Sequence, residues 1–184
     1  MAMSDYYRRL RQKVGHELLL APAATAVVFD TQGRVLLGKH AETGTWLLPG
    51  GVIEPDEHPA DAITREIWEE TGLLVKPIRL TGVYGGSEFR VTYRNGDKIV
   101  FLSPVFECRV HEGTVQADKT EILDLRYFSQ DEIATLHAPD WMRIVLTDAF
   151  RHADHTCFQK PTWIPHENEG IADGGMSDHI AWLR

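Results

Sequence analysis

The chain has 184 residues, of which 43% are hydrophobic and 25% charged, and its formal net charge is −8. This is the composition of one globular domain with modest extensions, long enough to bury a proper core. The negative charge argues against nonspecific binding of long nucleic acids, which needs a basic surface, but a bound metal reverses the sign locally and leaves small phosphorylated ligands open. Two cysteines, Cys108 and Cys157, give no disulfide framework. No run approaches the roughly 18 apolar residues of a membrane span, and the charged stretch from Ser4 to Lys13 is unlike a secretory signal. A reducing cytoplasm is the expected compartment.

Ser4 to Val14 reads as a helix, with Ser4 as its cap and Asp5 at its positive end. Lying outside the core, it must pack on its own domain or on a second copy. Its stripe of Tyr6, Leu10 and Val14 predicts a homodimer contact. Residues 1–20 thus form an N-terminal helix and linker, 21–150 the main domain and 151–184 a C-terminal extension.

Pro22 to Asp30 reads as a strand, and Arg34 to His40 returns after the Thr31-Gln32-Gly33 turn as a hairpin. Trp46 to Leu48 is a short strand running into Pro49-Gly50-Gly51, whose glycines permit close backbone approach. A helix follows Asp56 or His58, with Pro59 in its first turn and Gly72 as its left-handed stop. Ala60, Ala62, Ile63, Ile67 and Thr71 are its candidate inward positions. Glu66, Glu69 and Glu70, three and four apart, share one face. Three like charges there repel unless a cation compensates, and Mg²⁺ or Mn²⁺ takes oxygen ligands. Glu57 stands ready as a fourth carboxylate.

Gly51 to Leu73 resembles the Nudix box, Gly-x5-Glu-x7-Arg-Glu-U-x-Glu-Glu-x-Gly-U, where U is bulky and aliphatic. Gly51, Glu57, Arg65, Glu66, Ile67, Glu69, Glu70, Gly72 and Leu73 fill every defined position. The resemblance covers roughly Pro22 to Leu136. It implies an α/β/α sandwich with a mixed sheet between helices, and Mg²⁺- or Mn²⁺-dependent hydrolysis of a nucleoside diphosphate linked to another group. It also implies that Glu66, Glu69 and Glu70 hold metal, with Glu57 and the Gly50 carbonyl contributing, while Arg65 orients the carboxylates. A catalytically silent nucleotide-binding module is the alternative, and the intact glutamates argue against it.

Further strands are expected at Leu74 to Tyr84, with Pro77 marking an edge or a start, and at Glu88 to Tyr93. Asn95-Gly96 signals a hairpin into Ile99 to Val110, whose long apolar run reads as buried on both faces with a bulge at Pro104. A strand at Leu123 to Phe128 precedes a helix capped by Ser129 and another from Pro139 to Phe150. Glu121 resembles the extra functional glutamate that family members carry on a later loop, so Glu66 or Glu121 is the candidate base, with Glu112 and Asp118 behind them. Phe89, Arg90 and Tyr93 are candidate substrate contacts, with Arg94 and Tyr84 as further possibilities. In the tail, His152, His155 and Cys157 suggest a soft metal site, but nothing nearby completes four ligands.

Overall fold

The computed structural model describes residues 4–151 and 155–163. Helix α1 (Asp5–Val14) precedes the long strand β1 (Leu18–Val28), β2 (Val35–His40) and the short β3 (Trp46–Leu47) and β4 (Gly50–Val52). Helix α2 (Pro59–Thr71) leads into β5 (Leu73–Tyr84), β6 (Arg90–Thr92) and β7 (Lys98–Gly113). Strand β8 (Ile122–Phe128), helices α3 (Gln130–Thr135) and α4 (Asp140–Phe150), and β9 (Cys157–Phe158) complete the described chain. One sheet has the order β4-β1-β7-β5-β9, with β6 also on β7; the other is β3-β2-β8. Strands β1 and β7 run parallel, and β7 and β5 antiparallel, so the larger sheet is mixed.

Side-chain alternation splits the core into two layers. Ala24, Ala26 and Val28 of β1 and Leu36 of β2 pack with Ala62, Ile63 and Ile67 of α2. Val27, Val35 and Leu37 point the other way, onto Met142, Val145, Leu146 and Ala149 of α4 and Ile133 of α3. The result is the expected α/β/α sandwich. Strands covered on both faces need apolar residues at successive positions, which is why residues 26–28 of β1 and 35–37 of β2 are apolar without a break.

Several local expectations are corrected. The first strand begins at Leu18, four residues before Pro22, and it does not form a hairpin with β2. Beyond an isolated Phe29–Val35 bridge, β1 pairs with β4 and β7, and β2 with β3 and β8. The turn reverses the chain, but the two strands join different sheets. Ser87–Phe89 forms a 3₁₀ turn, so β6 starts only at Arg90. Strand β7 is not buried on both faces, since Leu102 is 47% and Val110 41% exposed. Near Pro104 the irregularity falls on the partner strand: Leu80 pairs with Phe106 and Gly82 with Val105, leaving Thr81 as the extra residue. Ala60 is exposed rather than packed.

Helix α1 is capped by Ser4, which accepts from the Tyr7 N–H. It docks on its own domain. Tyr7 is buried with Ala21, Val52 and Ile99, while Tyr6 is 41% exposed. The buried face is therefore Tyr7 and Arg11, with Leu10 partly packed, rather than the Tyr6–Leu10–Val14 stripe.

Candidate active site

Strand β4 and helix α2 set the site. Pro59 starts α2, and Gly72, with φ of 68°, ends it in the left-handed region that favours glycine. Ile63 and Ile67 fix the rotation of α2 against the sheet, and this carries Glu66 and Glu70, one turn apart, to the rim over β4. Both are buried, at 7% and 8% exposure, whereas the Glu69 side chain is 59% exposed.

These three glutamates, with Glu121 and Asp118 from the loop before β8, line a cleft of about 250 Å³ that Ser4, Val52, Glu54 and Arg65 complete. Glu121 is thus brought to the box glutamates across some fifty residues of chain. Asp118 organises its loop: the carboxylate accepts from the Glu121 and Ile122 N–H groups and from the Thr120 hydroxyl. Glu112 lies elsewhere, exposed near the end of β7 opposite Leu74.

Arg65 ties the carboxylates together. Its Nε and Nη2 donate to the two oxygens of Glu57, each at 2.9 Å, in a bidentate fork. Nη1 donates to Glu66 at 2.8 Å and lies 3.5 Å from Glu69, and Nη2 also reaches the Val52 carbonyl at 3.2 Å. Hydrogen bonding to Glu57, above all, raises the Arg65 pKa. Glu57 in turn is lowered, chiefly by Arg65. Both its oxygens are engaged, and it does not line the cleft.

Of the buried pair, Glu66 is ion-paired to Arg65 and Glu70 receives a backbone N–H. Burial pushes the Glu66 carboxyl up, opposed by Arg65. Glu70 is pushed up to about 8, first by burial and then by the charge of Glu66. Among the described residues its hydrogen-bond partner is the Gly50 N–H at 3.1 Å. Gly51 lies against the Glu66 carboxyl so closely that a Cβ there would collide with it. These hard oxygen donors, desolvated and mutually repelling, fit a divalent cation. Among the described residues no group of three His, Cys, Asp or Glu side chains is already arranged to hold one.

The substrate candidates separate. Phe89 is not available: it is 4% exposed, packed between Tyr84 and Trp141 in the α4 layer. The 3₁₀ turn rotates it inward, which a strand alternation could not foresee. Arg90 is exposed on β6 opposite Val100, away from the cleft. Tyr84 is buried and donates to Asp148 at 3.1 Å. Tyr93 and Arg94 line a cavity that adjoins the cleft. Ser4 and Glu54 had no sequence signal as cleft residues. Of the tail residues, His152 lies outside the described residues, His155 is exposed, and Cys157 pairs with Gly82 at the edge of the sheet.

A mixed sheet between helices, with a glycine-strand and a glutamate-rich helix meeting at an acidic cleft, defines a Nudix-type sandwich. The chain belongs to the NUDIX domain family, whose model matches residues 19–149. It is 39% identical to a MutT-like protein of Streptomyces ambofaciens over 112 residues, which is 61% of this chain and 66% of that protein. It is 34% identical to an ADP-ribose pyrophosphatase of Methanocaldococcus jannaschii over 114 residues, 60% of this chain and 66% of that one. The matched stretch therefore spans just under two thirds of either relative. A solved structure of a UDP-X diphosphatase superposes with a TM-score of 0.59 at 22% identity, covering 85% of this chain and 75% of that one, a likeness of fold.

Proposed function

We propose that the protein is a divalent-metal-dependent hydrolase that cleaves the phosphoanhydride bond of a nucleoside diphosphate linked to another group. The observation that carries this reading is the buried Glu66–Glu70 pair, one turn apart, sharing a cleft with Glu121 and with Arg65 as its near cation. Its resemblance to an ADP-ribose pyrophosphatase supports the substrate class. Mg²⁺ or Mn²⁺ bound there would neutralise phosphate charge and lower the pKa of a bound water.

The residues divide the work. Glu66, Glu69 and Glu70 would hold the ion; Glu57, both oxygens engaged by Arg65, would act through that arginine, and the Gly50 N–H holds Glu70. Arg65 holds Glu57 and Glu66 in place. Glu121 lines the same cleft on a loop braced by Asp118, and would accept the proton of the attacking water. Glu66, buried and paired to Arg65, is better suited to ligation than to proton transfer. The exposed leucines Leu18, Leu20 and Leu102 support a homodimer. No helix of the described residues is long and apolar enough to cross a membrane.

The test combines a panel of nucleoside triphosphates, dinucleoside polyphosphates, ADP-ribose and sugar nucleotides with Mn²⁺ calorimetry. Glu121→Gln is expected to slow the best substrate by about 10²-fold or more with Mn²⁺ affinity kept. Glu70→Gln should weaken Mn²⁺ binding and turnover together. If no panel member is cleaved, a silent binding module replaces the enzyme; if Glu121→Gln turns over normally, the base lies elsewhere.

A further inference from the structure

A second cavity opens beside the acidic cleft. It measures about 310 Å³, and Ser4 and Val52 line both, so the two are contiguous. Its apolar surface comes from Tyr7, Tyr93, Ile99 and Phe101, and Glu42, Arg94 and Asn95 stand among its polar groups. An apolar, aromatic wall with a few polar groups is the usual make-up of a small-molecule site. Tyr7 belongs to α1, and that helix precedes residue 19, where the match to the family begins.

The helix is built in rather than resting on the surface. Arg11 is buried, and its guanidinium donates to the carbonyls of Gly15 at 3.1 Å, Glu17 at 2.7 Å and Lys98 at 2.8 Å. Asp97, 3.6 Å away, also accepts from the Asn95 side chain at 2.9 Å. The same network therefore fixes α1 and the Tyr93–Asp97 turn, the two sides of the cavity.

We infer that this cavity takes the base of the nucleotide substrate, and that α1 is a specificity-determining wall which this chain adds to its NUDIX domain. The inference rests on the hydrolase reading above. A phosphate chain held in the acidic cleft delivers its nucleoside to the adjoining space. Phosphates and sugar hydroxyls gain nothing from aromatic walls, whereas a planar base can stack on them. At the edge, an ionised Glu42 only accepts hydrogen bonds, so it favours bases that turn amino or ring N–H groups toward it.

The four ribonucleosides, carrying no phosphate, are titrated into the full chain in metal-free buffer and followed by NMR. At least one is expected to bind with Kd below about 1 mM, while ribose 5-phosphate should not bind. Tyr7→Ala should weaken the tightest nucleoside by about fivefold or more, and Tyr7→Phe, which keeps the ring, by less than about twofold. Glu42 is exposed, so Glu42→Ala leaves the fold intact and should weaken the same nucleoside about threefold or more. The inference is overturned if no nucleoside binds, or if Tyr7→Ala and Glu42→Ala both bind like the parent. No metal, phosphoanhydride or turnover enters, so this outcome and that of the hydrolysis panel are read separately.

Discussion

Two neighbouring glycines serve different ends. Gly50 has φ of 149°, and a Cβ there would collide with the Ala24 carbonyl on the paired strand. Gly51 would instead drive a Cβ into the Glu66 carboxyl, the far end of a side chain. Gly50→Ala should therefore cost about 2 kcal/mol of stability, seen as a melting temperature lower by roughly 4–8 °C. Gly51→Ala should melt within about 2 °C of the parent, yet slow turnover at least about tenfold, a barrier change of about 1.4 kcal/mol, because Glu66 is displaced from the cleft. Melting curves and turnover of both variants decide, and wild-type turnover in Gly51→Ala would mean that the position of Glu66 is immaterial. The sequence pattern singled out both glycines as permissive backbone. It could not divide them, because the obstacles are a strand carbonyl and a helix side chain that only the tertiary fold brings up.

At the scale of elements, α1 was legible in kind but not in facing. The Ser4 cap and the acidic first turn locate the helix correctly. The apolar stripe misleads because Arg11 lies on the buried side, where backbone carbonyls rather than apolar neighbours receive it. An arginine buried this way has no periodic signature. Its charge partner makes a pH prediction. Burial alone would raise the Asp97 carboxyl, but hydrogen bonds from His16 and Asn95 and the charge of Arg11 outweigh that and hold it below the ordinary range. A carboxyl lowered in the native state adds stability that is complete above its unfolded pKa, near 4, and that is lost as pH falls through the lower native value. Asp97→Asn should therefore be less stable than the parent at neutral pH, by about 3 kcal/mol if Arg11 stays buried without its partner. The gap should narrow as pH falls from about 5 to about 3. Urea unfolding along that series checks it; a gap constant with pH would show that Asp97 titrates alike in both states.

For the whole molecule, the α/β/α layering could be read from the alternation of strands and helices around the box. The division into two sheets could not, because the Thr31–Gly33 turn is the same whether its flanking strands pair or part. The layering also leaves a face uncovered. Leu18 and Leu20 alternate onto one side of β1, and the register that pairs Pro22 with Leu102 puts Leu102 on that side too. Their exposures are 42%, 70% and 47%, and we propose that these exposed leucines on one side of the sheet form an interaction site. A twofold pair would cover both copies with one self-complementary patch, provided that about 800 Å² per partner is buried. Light scattering of the full chain is expected to give about twice the 20.8 kDa of one protomer. Leu20→Asp would set an unpaired charge in the middle of that contact and should return the protein to protomer mass while its melting temperature stays within about 2 °C when compared as monomers at high dilution. A wild-type protein already running at protomer mass ends the proposal, and a Leu20→Asp dimer as tight as the parent moves the interface off this face, back toward the exposed Tyr6 side of α1.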